Sequence, residues 1–258
     1  MIVAQISDTH IALDTPDADR RISDFKQTIA DINALHTAPD LIVHTGDIVH
    51  NGRREEYAEA AAILVAARAP VYVLPGNKDQ RVNLYAAFPA HKYLTPGAPF
   101  IDYAIEDYPV RLIGLDTLSE GNNRGDFGRE RIERLNKLVD AETKKPVAIF
   151  MHHPPFEVPV GPDPLNFVTA EAMAEVSQAL QRSGRVIGIF CGHVHRLTSG
   201  YVGKISAKVV TSVATTLRKG TYPPEMDGRP IYYLHHFDPN GSFATETRVV
   251  GLESAITR

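Results

Sequence analysis

Short apolar runs recur along this chain, each followed by a turn rich in Gly, Asp, Asn or His and then by a longer segment with helical spacing. The runs are Ile2 to Ile6, Leu41 to Thr45, Val71 to Leu74, Val147 to Met151 and Val186 to Cys191. Each is too short for a helix and rich in Val, Ile or Leu, the pattern of a strand buried on both faces. Strands alternating with helices demand crossover connections and a largely parallel central sheet.

The intervening helices are predicted at residues 18 to 36, 53 to 68, 79 to 88, 128 to 142 and 169 to 183. Asp126, Thr169 with Glu171, and Gly184 serve as boundary signals. Between Phe100 and Leu115 two apolar runs are separated only by Glu106-Asp107-Tyr108-Pro109, which predicts an antiparallel hairpin. After residue 196 the pattern is all-β: Leu197 to Val202, Lys208 to Val213, Ile231 to Phe237 and Phe243 to Val250, with Pro239-Asn240-Gly241 as a turn. Residues 197 to 250 are therefore expected to contribute mainly strands of a second sheet. The expected fold is a two-sheet α/β sandwich, helices on the outer faces of two packed sheets in an αββα arrangement, with residues 1 to 258 as one domain. The Pro- and Gly-rich loops from Glu157 to Asn166 and from Arg218 to Arg229 are candidates for cleft walls or subunit contacts.

Composition excludes several classes. With 43% hydrophobic and 22% charged residues among 258, the chain is an ordinary globular one, and no window is long and apolar enough to predict a membrane span. The net charge of −4, without a block of like charges, argues against duplex nucleic acid as a partner. The first residues show no export signal, and the single Cys191, read as a small buried hydrophobe, precludes an intramolecular disulfide framework; both fit a cytoplasmic protein.

Eleven histidines are the unusual feature, and their placement carries the argument. The strand-to-helix junctions read Asp8-Thr9-His10, Gly46-Asp47, Gly76-Asn77, His152-His153-Pro154 and Gly192-His193-Val194-His195. In one open sheet all five would gather at the carboxyl ends of the strands, where such sheets bind ligands. Asp8/His10 and His193/His195 have one residue between partners, so an extended backbone would project each pair to one side. Carboxylate, amide oxygen and imidazole together suit manganese, iron, cobalt or zinc, and the lack of a second cysteine disfavours a thiolate site. Glycines before Asp47, Asn77 and His193 permit close backbone approach.

Asp8-x-His10, Gly46-Asp47, Gly76-Asn77-x-Asp79, His152-His153-Pro154-Pro155 and Gly192-His193-x-His195, in this order, resemble the calcineurin-like metallophosphoesterases. Gln5-Ile6-Ser7-Asp8-Thr9-His10 and the His-His-Pro-Pro run are similar to the branch with class III cyclic nucleotide phosphodiesterases and bacterial glycerophosphodiesterases. The resemblance implies two divalent ions, one bound by Asp8, His10, Asp47 and His195, the other by Asp47, Asn77, His152 and His193, with Asp47 bridging. It implies hydrolysis of a small phosphodiester by a metal-bridging hydroxide, since two ions roughly 3.5–4 Å apart acidify a bridging water and stabilise the phosphoryl oxygens. A phosphomonoester or nucleic-acid end as substrate, or a non-catalytic scaffold on this fold, are the competing readings. The resemblance leaves the oligomeric state open: relatives often assemble, and the Pro-rich loops could support a homo-oligomer.

One departure bears on the chemistry. Where many relatives have His after the Asn of Gly-Asn, this chain has Lys78, which keeps a positive charge for phosphate and puts leaving-group protonation in question. Asn77, Lys78 and His153 are the candidate catalytic residues. His153 is read either as a substrate contact or as a structural hydrogen-bond donor. His50 replaces the Asp or Glu common in relatives and is assigned no catalytic role. His36, His44, His91, His235 and His236 are read as structural or surface residues, and Arg124 as a solvated loop arginine.

Overall fold

In a computed structural model, residues 1–159 and 166–252 are described. The first apolar run forms strand β1 (Ile2–Ile6), followed by helix α1 (Ala18–Ala34), β2 (Leu41–His44), α2 (Arg54–Leu64), β3 (Val71–Val73) and α3 (Arg81–Ala87). The expected hairpin is β4 (Tyr103–Ile105) and β5 (Arg111–Leu115), and α4 (Arg129–Asp140), β6 (Val147–Met151), α5 (Ala170–Gln181) and β7 (Val186–Cys191) follow. The C-terminal part is all-β, with β8 (Thr198–Val202), β9 (Ile205–Val209), β10 (Ile231–Phe237) and β11 (Phe243–Val249). Local signals explain several boundaries. Thr169 caps α5 by accepting the Ala172 amide at 3.1 Å, and Gly184 takes a left-handed conformation just past its end. Asp126 does not cap α4; that position is Gly128.

The strands form two sheets, β11-β10-β1-β2-β3 and β4-β5-β6-β7-β9-β8, with helices around them. This two-layer α/β sandwich is the expected fold, but two expectations about its wiring fail. The five apolar runs do not share one central sheet: β1 to β3 lie in the first, β6 and β7 in the second. Nor do residues 197 to 250 build mainly the second sheet. β8 and β9 extend it, whereas β10 runs antiparallel to β1 and carries β11 on its far side. The reason is burial: Ile231 to His235 are all buried, so β10 needs a partner on each edge, and β1 offers one. The predicted Lys208 to Val213 strand also shifts, because Gly203 with positive φ closes a tight β8–β9 turn and starts β9 at Ile205.

Period-two alternation sorts each buried strand between two cores. Val147, Ile149 and Met151 of β6 pack with Leu135 and Val139 of α4 and Val176 and Leu180 of α5. Ala148 and Phe150 belong to the larger core that reaches Val3, Phe25 and Ile29 of the first sheet and α1. Phe150 stacks on Phe190 at 5.0 Å, and Phe190 lies 4.1 Å from the His235 ring.

A polar relay crosses this interior. His235 hydrogen-bonds Thr245 Oγ1 through Nδ1 and Gln5 Oε1 through Nε2, both at 3.0 Å. Gln5 in turn donates to Thr45 Oγ1 at 3.1 Å and to the Cys191 carbonyl of the opposite sheet at 3.0 Å. Burial, with His236 and Lys208 nearby, holds the His235 imidazole well below its ordinary value near 6.5. The folded chain therefore keeps this ring neutral while the unfolded chain takes up a proton below pH 6.5, so the associated stability is present above that pH and is lost as the pH falls. In metal-free protein, His235→Gln should flatten the acid decline by up to about 1.4 kcal/mol per pH unit. Urea unfolding at pH 7.0 and 5.5 measures it, and equal slopes for both proteins would reject this account.

Candidate metal centre

The loops after β1, β2 and β3 of one sheet meet the loops after β6 and β7 of the other, so the carboxyl ends of both parallel strand sets face one place. The first two loops continue side by side past their strands: Asp8 N donates to Gly46 O at 2.9 Å, His10 N to Asp47 O at 3.0 Å and Ile11 N to Ile48 O at 3.0 Å. Val213 N donates to Ser7 O at 3.0 Å, and Ser212 Oγ to Asp8 O at 2.7 Å, so the segment leaving β9 supports the Asp8 loop.

Among the described residues, the non-glycine residues with positive φ are Asp8, His10, Asp47, His193 and His195. Such conformations cost of order 1–3 kcal/mol each and persist where the surroundings enforce them, typically at functional sites. This corrects the strand-alternation argument for Asp8/His10 and His193/His195. Neither pair lies in a strand, since β1 ends at Ile6 and β7 at Cys191; left-handed turns aim each pair instead. The approach is close. A Cβ on Gly76 would strike the Asp47 amide nitrogen and carboxylate, and one on Gly192 would strike Ser7 Oγ and the Asp8 carboxylate.

The seven proposed ligand residues come together as two groups that share Asp47. In the first, His10 Nε2 and His195 Nε2 are 3.0 Å apart, His195 Nε2 is 3.2 Å from Asp8 Oδ1, and His10 Nε2 is 3.4 Å from Asp47 Oδ2. Nitrogens bound at about 2.1 Å to one ion on adjacent coordination positions stand about 3 Å apart. In the second group, Asn77 Oδ1 is 3.2 Å from His152 Nε2 and 3.0 Å from His193 Nδ1, and His152 Nε2 is 3.6 Å from Asp47 Oδ1. Each Asp47 oxygen thus faces a different group.

The outer contacts set the chemistry of the rings. His152 Nδ1 donates to the Thr45 carbonyl at 2.7 Å and His195 Nδ1 to the Leu217 carbonyl at 3.0 Å. A carbonyl can only accept, so the proton sits on Nδ1 and the neutral ring turns the Nε2 lone pair toward the centre, the arrangement of metal-binding imidazoles. His153 is adjacent, its ring 4.4 Å from that of His193, with Nδ1 2.7 Å from Thr117 Oγ1.

Charge balance tests the fit of a cation. Asp8 is fully buried and its Oδ1 accepts no hydrogen bond. Burial would raise its carboxyl, but the His195 and His10 imidazoles outweigh this and hold it well below the usual carboxylate range. Burial disfavours a charge on His195, but the adjacent Asp8 carboxylate outweighs this and raises that imidazole above its ordinary value. Burial lowers His10, His193 and His153, leaving lone pairs available. A buried anionic oxygen without a donor, ringed by imidazole nitrogens, fits divalent cations.

Asp79 holds the Asp47 and Asn77 loops together, accepting from Gly76 N at 2.8 Å, Ile48 N at 3.2 Å and Tyr57 OH at 2.8 Å. Lys78 N donates to Asp47 Oδ1 at 2.7 Å, while its ammonium reaches Asn123 Oδ1 at 3.0 Å. Sequence reasoning missed Asn123, Thr45, Thr117 and Leu217. The loop that carries Asn123 and Arg124 has no donor motif in sequence, and the backbone carbonyls of Thr45 and Leu217 carry no side-chain signature. The 218 to 229 loop begins at the centre, where Lys219 N donates to His195 O at 2.8 Å. In the other proposed wall, residues 160 to 165 lie outside the described residues. Gly192→Ala should destabilise the metal-free protein by about 1–3 kcal/mol and weaken manganese binding. Denaturant unfolding and metal titration check this, and an unchanged variant would show that the loop has slack.

Comparisons with known proteins agree with the geometry. The calcineurin-like phosphoesterase family matches residues 1–197. The chain is 32% identical over 259 residues to a probable glycerophosphodiester phosphodiesterase GpdQ of Arcobacter nitrofigilis, covering 97% of this chain and 94% of that protein. It is 27% identical over 198 residues to the 3',5'-cyclic adenosine monophosphate phosphodiesterase CpdA of Escherichia coli K12, covering 75% and 69%. The fold is shared with the yellow lupin purple acid phosphatase PPD1, with a TM-score of 0.68 at 16% identity over 98% of this chain and 52% of that one. With the sequence match, the fold and the paired donor groups in hand, the chain belongs to the calcineurin-like phosphoesterase family and is a metal-dependent hydrolase of phosphoric esters.

Proposed function

We propose that the protein hydrolyses a small phosphodiester at two divalent ions, one held by Asp8, His10, Asp47 and His195 and the other by Asp47, Asn77, His152 and His193. The observation that carries this is the Asp47 carboxylate, with one oxygen beside each donor group. Manganese, iron, cobalt and zinc all suit these ligands. Two ions bound there would supply Lewis acidity to the phosphoryl oxygens and would lower the pKa of a water so that it can be deprotonated to a nucleophile at neutral pH.

The chain's own residues do the rest. Left-handed turns and the Asp79 clamp hold the ligands before substrate arrives, so little reorganisation remains for the reaction. Thr117 Oγ1 accepts the His153 amide at 3.3 Å and lies 2.7 Å from Nδ1; in the tautomer in which the hydroxyl donates to Nδ1, the ring proton sits on Nε2 as a donor for a phosphoryl oxygen. In this assignment His152 is the ligand and His153 the substrate contact. The Lys78 ammonium lies at the same mouth and adds a charge-assisted contact to the anionic ester. The diester preference is supported by the full-length similarity to a protein named a glycerophosphodiester phosphodiesterase.

Steady-state assays with manganese on paired aryl diester and monoester substrates should give the higher kcat/KM for the diester, and a clear monoester preference would reverse the assignment. Asp47→Ala should abolish both metal binding and hydrolysis; turnover retained in metal-free protein would contradict the scheme. Lys78→Met should lower kcat/KM roughly ten- to a hundredfold, and an unchanged value would remove Lys78 from the substrate contacts.

A further inference from the structure

We infer that Asn123 is a positioning residue whose single carbonyl oxygen sets both the ligand face of Asn77 and the placement of the Lys78 ammonium. This rests on the two-ion reading above. Asn123 Oδ1 accepts from Lys78 Nζ at 3.0 Å and from Asn77 Nδ2 at 3.4 Å. An amide side chain can present either its oxygen or its nitrogen to a neighbour, and only the oxygen is a ligand. An acceptor placed opposite Asn77 can pair only with its NH2, so Asn123 selects the orientation in which Asn77 Oδ1 faces His152 Nε2 and His193 Nδ1.

The mount is rigid although Asn123 itself is exposed. At one end of its loop the Leu118 carbonyl accepts from Arg81 Nη2 at 2.7 Å and Arg131 Nη2 at 2.8 Å. At the other, Asp126 N donates to Thr117 O at 3.0 Å, and the Asp126 carbonyl also accepts from Arg131. Gly125 pairs with the segment at Phe167, donating to Asn166 O and accepting from Val168 N, both at 2.9 Å. The loop therefore carries the Asn123 oxygen as a fixed acceptor beside the centre, and one oxygen serves the proposed ion ligand Asn77 and the Lys78 ammonium together.

The test is manganese(II) titration of chelator-stripped wild type, Asn123→Ala and Asn123→Asp, with thermal unfolding and diester kinetics on the same samples. Asn123→Ala should weaken the second manganese site roughly 10- to 100-fold and leave the thermal midpoint of the metal-free protein unchanged, because the side chain is exposed. Excess manganese should restore its kcat, while KM for the diester stays several-fold high because Lys78 has lost its anchor. Asn123→Asp keeps the acceptor oxygen and should hold the second manganese site within a few-fold of wild type. A second site in Asn123→Ala within twofold of wild type overturns the Asn77 half, an unchanged KM overturns the Lys78 half, and an Asp variant as weak as Ala overturns the acceptor argument. Wild type that binds no second ion would instead reject the two-ion function itself.

Discussion

Two carboxylates buried side by side cannot be left to themselves. Asp8 and Asp47 are almost wholly withdrawn from water, and desolvating an anion without a partner costs more than a domain's whole margin of stability. Everything around them answers that cost. Imidazoles from both sheets surround them, backbone amides of Lys78 and His193 donate to them, and the remaining deficit of positive charge is what the proposed pair of ions would balance. In the bare chain the Asp8 carboxylate raises the His195 imidazole beside it above its ordinary value.

Holding such a cluster requires the backbone to go where side-chain preference would not send it. Among the described residues the five left-handed non-glycine ones are all proposed ligands, and each turn is braced by neighbours. Asp79 ties the second and third loops, the segment after β9 braces the first, and the Gln5 relay connects the two sheets directly beneath. The sandwich thus works as a frame whose two halves each supply part of one coordination set. Neither sheet alone contains a complete ligand group around Asp47, which comes from the first sheet and faces His152 of the second.

Much of this was legible one element at a time. The strands at Val147–Met151 and Val186–Cys191 announce themselves by uninterrupted apolar runs, those at Ile2–Ile6 and Ile231–Phe237 by runs broken only by Gln5 and by His235 and His236, and the five helices by their spacing. Sheet membership was not legible, because a local pattern does not say whether a strand pairs with one more than 200 residues away, as β10 does, or with the next hairpin arm, as β8 does. The proposed ligand residues are readable as motifs, but strand alternation does not aim Asp8 and His10: turn geometry does. Asn123 had no signature, since a lone loop asparagine differs from any other until its neighbours are known.

The order of Asp8, His10, Asp47, Asn77, His152, His193 and His195 along the chain, each pinned to the end of an apolar run, is a property of the sequence by itself. It determined the class of chemistry, because residue type sets which ions can bind and covalent connection sets which strand end each ligand follows. Tertiary structure alone decided that these strand ends come from two sheets, that Asp47 turns one oxygen to each donor group, and that distant carbonyls at Thr45 and Leu217 fix the imidazole tautomers. Those are relations across hydrogen bonds and packed faces, which depend on distances in space that local sequence patterns do not encode.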